Sequence, residues 1–416
     1  MKKIPSQEKH TSQTFLYAGA KALERASYYG MRSILAIYLI NGQLHLTEQN
    51  TMELYGWFVG SIAFMVVLGG IIGDFFIGNK TAAITGGILQ TIGCFLLCVP
   101  DIACVYTGLT AIAVGSGLFT PNILANFGKT YLSKMKLADG GFTVFYVSIN
   151  FGALIGTSLI TLLALQNHVF GFCIAGFLML LSTVMTAFTK TITAEVTTTA
   201  AVSKRAEKVA FAIIVLGIFW AIYSYAGDGI FLLVSEIGRN MTRSSLLESF
   251  SSLFVIVTGT AAILVWSAFY LQTIWKWALG FGFAAVAFGI FFSLTGSVSG
   301  FAVPGYALAT FIFSIAEMLI APSLYSVLLR NCNPKYLATL IAISGVPAFL
   351  AFYYSGGSGI LSGGGFASLL YAMIASAVLA VLLMILAMKK RRKQPDQSAF
   401  SSVNENSEPL PNSLST

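Results

Sequence analysis

The run KALERASYYGMR at residues 21–32 lies inside the first apolar segment of the chain, which is long enough to cross a bilayer. Its charged and tyrosine side chains recur at intervals that place them on one face of a helix. They are Lys21, Glu24, Arg25, Tyr28, Tyr29 and Arg32. A charge at membrane depth costs about 3 kcal/mol on insertion scales, so such residues usually face a polar cavity and pair with one another. The run therefore predicts a membrane helix with one face on a water-filled pathway.

The composition of the whole chain is that of a membrane protein. Apolar residues make up 56% of its 416 residues and charged residues 10%, whereas soluble domains carry about 25% charged residues. Mean hydropathy is +0.80. Backbone groups in lipid must satisfy their hydrogen bonds internally, and the apolar stretches are too long for barrel strands, so we predict an all-α membrane protein.

Apolar stretches of about 20 residues mark the candidate transmembrane helices. There are twelve, at 14–40, 52–76, 80–99, 102–127, 141–164, 168–189, 208–235, 247–271, 274–297, 301–329, 335–356 and 366–389.

Lysine and arginine are distributed unevenly between the two ends of these helices. Nineteen of them lie in residues 1–13, the even-numbered junctions and the C-terminal tail, whereas the odd-numbered junctions hold only Arg239 and Arg243. By the positive-inside rule both termini are predicted to be cytoplasmic. We expect a multi-pass protein of a cell membrane, the inner membrane of a bacterium. The net charge of +8 then reflects orientation, so nucleic acid is not an expected partner and the lipid bilayer is.

A polar and basic stretch at 190–207 divides the candidate helices into six and six. This layout resembles that of the major facilitator superfamily, which implies two halves that enclose a site near the bilayer midplane and rock around it. The predicted units are a cytoplasmic N-terminus at 1–13, six-helix halves at 14–189 and 208–389, a linker at 190–207 and a disordered cytoplasmic tail at 390–416.

A metal site or a catalytic nucleophile has little support in the sequence. The five cysteines form no disulfide framework, and His10, His45 and His168 fall at loops or helix ends. No embedded Ser–His or Cys–His set accompanies them. We therefore expect no metal and no organic cofactor, and we expect a protein that is not an enzyme.

Several motifs resemble those of known transporters. GGIIGDFFIGNK at 69–80 is similar to the glycine–aspartate–basic loop of the major facilitator superfamily, a conformational loop in which Asp74 and Lys80 are the charged residues. Other motifs resemble, in order, signatures of the proton-dependent oligopeptide transporter family. They are ERASYYGMRSILAIYL at 24–39, GLFTPNI at 117–123, FYVSINFGALIG at 145–156, FWAIY at 219–223 and AEMLIAP at 316–322.

The resemblance implies roles for individual residues. Glu24 and Arg25 match the family's ExxER motif on helix 1, and Glu317 matches the helix 10 glutamate that holds the amino terminus of a peptide. The substrate-binding residues implied in this way are Arg25, Tyr29, Arg32, Tyr146, Asn150, Trp220 and Glu317. The implied proton-coupling or charge network consists of Lys21, Glu24, Asp228 and Glu317.

Physical chemistry agrees with a peptide as the substrate. A dipeptide is a zwitterion, so its site needs a cation cluster and a carboxylate with hydrogen-bond donors between them. The deep charges of the chain, three basic and three acidic, sum to zero. We therefore predict a monomeric secondary transporter that moves di- or tripeptides, or similar small zwitterionic solutes, with protons by alternating access. The alternative is a carrier of the same fold that moves an organic anion or another metabolite without protons.

The departures from the family pattern concern proton coupling. Lys21 stands where the family has its first glutamate, Thr120 stands where helix 4 offers a lysine, and Ser224 stands where helix 7 offers an acid. Two interpretations of Lys21 remain open, because a lysine near a helix start either snorkels to the interface or joins the charge network. Two interpretations of Asp228 also remain open. It caps or breaks helix 7, or it pairs with Arg32.

Overall fold

The fold is that of a computed structural model, which describes residues 2–3, 9–41, 44, 46–164, 167–191, 202–238, 245–296, 301–354 and 364–392. The first half of the chain supplies α1 (Ser12–Asn41), α2 (Glu48–Ile72), α3 (Asn79–Leu96), α4 (Ile102–Lys129), α5 (Ala138–Ala164) and α6 (His168–Ala187). A π-helical turn, Gly73–Ile77, extends α2 toward α3. Thr47, Asp101 and Asn167 cap α2, α4 and α6, since each side chain accepts a backbone N–H of the first turn.

The second half of the chain is also helical in its described parts. It supplies α7 (Val202–Gly238), α8 (Ser245–Ala268), α9 (Thr273–Ser293), α10 (Ala302–Asn331), α11 (Leu337–Ser344), α12 (Val346–Phe352) and α13 (Ala367–Arg392). Two short strands, β1 (Lys2–Lys3) and β2 (Phe269–Tyr270), pair antiparallel. The start of the chain therefore lies on the junction between α8 and α9.

Ten helical segments within the described ranges are long and apolar enough to cross a membrane. This confirms an all-helical membrane protein. α1 and α3 fall outside that set, although each of the twelve predicted ranges contains helix. In α1 the reason is the charged run 21–32, which interrupts its apolar surface.

Three predicted boundaries differ from the structure. The single helix predicted at 335–356 is divided into α11 and α12 at Gly345, because Pro347 has no N–H and its ring obstructs a continuous helix. The linker predicted at 190–207 is shorter, since α7 already begins at Val202, and residues 192–201 lie outside the described ranges. The tail predicted from 390 begins as the end of α13, and residues 393–416 also lie outside those ranges.

Glycines bring α1 and α5 into backbone contact. A Cβ atom added to Gly152 would lie 2.1 Å from the carbonyl oxygen of Ala22, and one added to Gly156 would lie 2.1 Å from that of Ala26. A side chain at either position would therefore separate the helices. This contact fixes the polar face of α1 relative to α5, which carries Tyr146 and Asn150.

The helices alternate in direction, so the start of α1 lies at the same end as the α2–α3, α4–α5, α8–α9 and α10–α11 junctions. We call this the proximal end and the opposite one the distal end. The halves meet at the proximal end. The Asp74 carboxylate accepts hydrogen bonds from the backbone N–H and the hydroxyl of Thr339, at 2.7 and 2.8 Å, and so caps α11 of the other half. His10 lies 2.8 Å from the Tyr131 hydroxyl and 2.9 Å from that of Ser267.

An apolar cavity of about 320 Å³ lies between α2 and the α11–α12 region, and its lining includes Ala63, Phe64, Val346 and Phe349. The contacts of Asp74 with Thr339, and of His10 with Tyr131 and Ser267, show that the proximal end is closed in this structure.

The substitution Gly156→Val should destabilise the fold. Valine at this position places its Cβ against the α1 backbone, and overpacking of this kind costs about 3 kcal/mol. The melting temperature of the purified protein in detergent should fall by several degrees. Gly60→Ala is the matched control, because nothing lies within 4 Å of its added Cβ. Equal melting temperatures for the two variants would contradict a close α1–α5 contact.

Candidate functional site

A buried charge cluster lies on α1 and faces α4. We call it the α1 charge cluster and define it as Lys21, Glu24, Arg25 and Thr120. The Lys21 ammonium lies 2.9 Å from a carboxylate oxygen of Glu24 and 3.1 Å from the Thr120 hydroxyl. Arg25 donates to both carboxylate oxygens of Glu24 and lies 3.3 Å from Thr120. Both acceptor atoms of Glu24 are thus engaged by cations, and its side chain is 0% exposed.

Aromatic rings complete the surroundings of the two cations. The Arg25 guanidinium lies 4.9 Å from the ring centre of Tyr28 and 5.7 Å from that of Tyr29, and the Lys21 ammonium lies 5.6 Å from that of Phe119. The Lys21 side chain is 2% exposed, so it does not snorkel to the interface. Of the two interpretations of Lys21, membership of the charge network is the one that the geometry supports.

Arg32 lies about two helical turns beyond Arg25 on α1, toward the distal end. Its guanidinium donates to the Tyr55 hydroxyl and lies 5.2 Å from the Tyr55 ring centre. Asp228 lies inside a continuous α7, so it does not break that helix. In its described contacts Arg32 pairs with Tyr55. The pairing of Arg32 with Asp228 in another conformation stays a prediction.

Glu317 provides a carboxylate on the opposite half. It lies inside α10 and is 9% exposed. Its carboxylate accepts a hydrogen bond from the Tyr146 hydroxyl of α5, so this contact joins the two halves. No lysine or arginine of the described residues lies within ion-pair distance of it. Asn150, one turn beyond Tyr146, donates to the Tyr146 carbonyl at 3.2 Å.

Trp220 belongs to an aromatic wall on α7, α10 and α12. Its ring centre lies 5.8 Å from that of Tyr223 and 6.2 Å from that of Phe352. Tyr223 stacks on Phe313 with ring centres 4.8 Å apart. This packing supports a role in shaping the cavity, because aromatic rings hold their orientation well.

The conformational loop lies at the proximal end. Asn79 connects it to α4, donating to Asp74 at 2.8 Å and to Asn122 at 2.8 Å. Lys80 donates to the Thr189 carbonyl at 2.7 Å, just after α6. Through Asp74 and Thr339 the same loop reaches the second half.

The geometry adds residues that the sequence did not indicate. Tyr55 is the partner of Arg32, and a single tyrosine in an apolar run gives no signal for this. Lys276 and Arg330 are two of the nineteen basic residues that the sequence analysis assigns to the side of the termini, and both lie against Asp139 at the proximal end. The only sequence signal was an acid, Asp139, directly after a basic loop. Within the described ranges no group of three histidine, cysteine or acidic side chains is arranged to hold a metal.

The sequence profile of the POT family matches residues 80–214, which run from the conformational loop through the Tyr146 and Asn150 region of α5 into α7. Over this stretch the chain is similar to the POT family. Curated relatives match a similar share of the chain. Dipeptide and tripeptide permease B of Shigella dysenteriae is 35% identical over 145 residues, 34% of this chain. Dipeptide and tripeptide permease A of Citrobacter koseri is 35% identical over 147 residues, 35% of this chain.

These two relatives are aligned over a part of their length. The chain spans 29% of each of them in these alignments.

Solved structures show that the similarity of fold extends over nearly the whole chain. A variant of the peptide transporter POT in complex with sulfate matches with a TM-score of 0.62 and 19% identity, covering 93% of this chain and 97% of that one. A POT family transporter in complex with 5-aminolevulinic acid matches with a TM-score of 0.57 and 18% identity, covering 91% and 97%. The described helices therefore share the fold of these transporters.

The α1 charge cluster predicts unequal effects of two substitutions. Glu24→Gln leaves Lys21 and Arg25 as two buried cations without a counter-ion, which should cost about 3–5 kcal/mol of stability. Lys21→Met leaves a neutral Glu24–Arg25 pair and should cost much less. Thermal unfolding in detergent measures both. If Lys21→Met were the more damaging of the two, the ion pairing described for Glu24 would be wrong.

Proposed function

We propose that this protein is a secondary transporter of di- or tripeptides or of similar small zwitterionic solutes. The observation that carries the proposal is the division of charge between the halves. Cations lie on α1 of the first half, whereas the Glu317 carboxylate of the second half lacks a described cation. A zwitterion has the complementary arrangement, an ammonium at one end and a carboxylate at the other. The relatives named as dipeptide and tripeptide permeases support this substrate class.

In this proposal Glu317 holds the amino terminus of the substrate and Arg25 holds its carboxylate. The two residues lie on different halves, so one ligand engages both and couples occupancy to closure. Tyr29, Arg32, Asn150 and Trp220 form the rest of the cavity lining. Tyr146, which bonds Glu317 across the halves, is placed to sense the arrival of an ammonium.

We also propose that the helices cross the bilayer as twelve segments, with α11 and α12 counted as one. Both termini then lie in the cytoplasm, and the protein lies in the inner membrane of a bacterium. α1 and α3 qualify because their polar groups face protein rather than lipid. Lys21 and Glu24 of α1 and Gln90 of α3 are buried. The proximal end is then cytoplasmic, and the protein acts as a monomer.

Protons are the coupling ion that we propose, and Glu317 is the site that we assign to them. Protonation of Glu24 would break its ion pairs and leave Lys21 and Arg25 as unmatched buried cations. Glu317 has no such obstacle, since its described partner is a neutral hydroxyl. The locked state of Glu24 is also the observation that favours the second candidate, a facilitator of the same fold that moves a metabolite without protons.

Recognition of the substrate amine is tested by Glu317→Gln. The variant should bind a free-amine dipeptide about tenfold to a hundredfold more weakly, because a hydrogen bond to a charged group contributes about 1.5–3 kcal/mol. The N-acetylated dipeptide should bind both forms alike. Glu53→Gln, which changes an exposed carboxylate of α2, is the control. Equal losses for both ligands would remove Glu317 from the amine-binding role.

Proton coupling is tested in proteoliposomes with an imposed pH gradient. The double substitution Lys21→Glu with Thr120→Lys recreates the usual family pattern and should increase proton-driven accumulation of the dipeptide relative to the native chain. Exchange of labelled for unlabelled dipeptide without a gradient serves as the control for binding and translocation. Strong accumulation by the native chain that Glu24→Gln abolishes and Glu317→Gln leaves intact would contradict the assignment to Glu317.

A further inference from the structure

Three charged residues meet where the halves join at the proximal end. Asp139 lies at the start of α5, Lys276 in the first turn of α9 and Arg330 in the last turn of α10. The Lys276 ammonium lies 2.8 Å from one carboxylate oxygen of Asp139, and the Arg330 guanidinium lies 3.3 Å from the other. We call these residues the proximal triad. Its acid belongs to the first half and both cations belong to the second.

The triad is shielded from solvent in this conformation. The side chains of Asp139 and Lys276 are 3% and 2% exposed, and that of Arg330 is 19% exposed. The ion pairs are therefore weakly screened, and they persist only while the proximal end is closed. When the halves separate there, Asp139 leaves with α5 and the cations stay behind.

The second half holds both cations independently of Asp139. The Lys276 ammonium lies 3.8 Å from the ring centre of Trp266. Arg330 lies 5.1 Å from the ring centre of Tyr270 and donates to the Tyr270 hydroxyl at 3.2 Å. Cation–π contacts of this kind stabilise a desolvated cation without cancelling its charge.

The triad carries one positive charge in excess. Within the described ranges, Asp139 is the only acid within ion-pair distance of Lys276 or Arg330. The nearby His10 does not change the sum, because burial and the charge of Lys134 lower the pKa of His10 below its ordinary value of 6.5. Closure of the proximal end therefore buries an unmatched cation together with the ion pairs.

Burial of the ion pairs and burial of the surplus cation act on the proximal end in opposite directions. The attraction between Asp139 and the cations favours the closed end, whereas desolvation of the surplus charge and repulsion between Lys276 and Arg330 disfavour it. We propose that the proximal triad is an electrostatic latch that is kept weak by its surplus cation, so that the open and closed conformations of the proximal end stay close in free energy. The latch acts on the conformation alone, whatever solute the protein carries.

The surplus charge makes two substitutions act in opposite directions. Asp139→Asn removes the attraction and leaves two buried cations that repel each other, so it should open the proximal end. Lys276→Met removes the surplus and leaves a neutral Asp139–Arg330 pair, so it should hold the end closed. A triad that merely supported the fold would make both variants shift the same way.

The experiment is a distance measurement by pulsed electron paramagnetic resonance in lipid nanodiscs, without substrate. Spin labels on cysteines at Ser133 and Gln272, which are exposed on the α4–α5 and α8–α9 junctions, report on the two halves. The five native cysteines are replaced by serine. We expect the ratio of long to short separations to rise about tenfold in Asp139→Asn and to fall by about the same factor in Lys276→Met, a change of about 1.4 kcal/mol each way.

Two controls accompany these variants. Lys335→Met removes an exposed cation at the same end and should leave the distances unchanged, and Asp139→Glu keeps the charge and should stay close to the unsubstituted protein. If Asp139→Asn does not fold, Lys276→Met alone still tests the sign of the surplus charge. The proposal is overturned if Lys276→Met opens the end, or if neither variant moves the distances beyond the Lys335→Met control.

Discussion

A charge that is buried in a membrane protein must be paired, and the rest of this structure depends on that requirement. Glu24 is fully buried, and both of its oxygens are engaged by Lys21 and Arg25. Removal of one partner would leave a desolvated charge, so the members of the cluster hold one another in place. The cluster in turn fixes how α1 faces α4, since Thr120 bonds both cations. Glycines of α5 then pack against the other face of α1.

The buried acids of the two halves meet this requirement in different ways. On the first half both oxygens of Glu24 are engaged by cations, so that acid takes up a proton with difficulty. On the second half Glu317 is buried with a tyrosine hydroxyl as its described partner. A carboxylate in that state has two ways to gain stability, a proton or the ammonium of a ligand. Glu317 therefore accepts a proton or an ammonium more readily than Glu24 does.

The described contacts that join the halves at the proximal end are of one kind, polar and directional. Asp74 caps a helix of the opposite half, Tyr131 and Ser267 meet through His10, and Asp139 reaches two cations across the junction. Each contact is polar and directional, and each is lost when the halves separate by a few ångströms. Such contacts suit an interface that must form and break repeatedly, whereas a large apolar interface would hold the halves together permanently.

The sequence by itself determined that the protein is a helical membrane protein, where its helices lie and which face of α1 is polar. Apolar length and the periodicity of residues 21–32 are local properties, so the helices and the polar face of α1 could be predicted from them. Only the tertiary structure decided which polar groups meet. Lys276 and Arg330 looked like loop cations, yet they lie against Asp139, more than a hundred residues away in the chain. The pairing of Tyr146 with Glu317 and of Arg32 with Tyr55 was equally hidden. Pairing between helices depends on how the halves pack, and contacts between segments far apart in the chain leave no local pattern in the sequence.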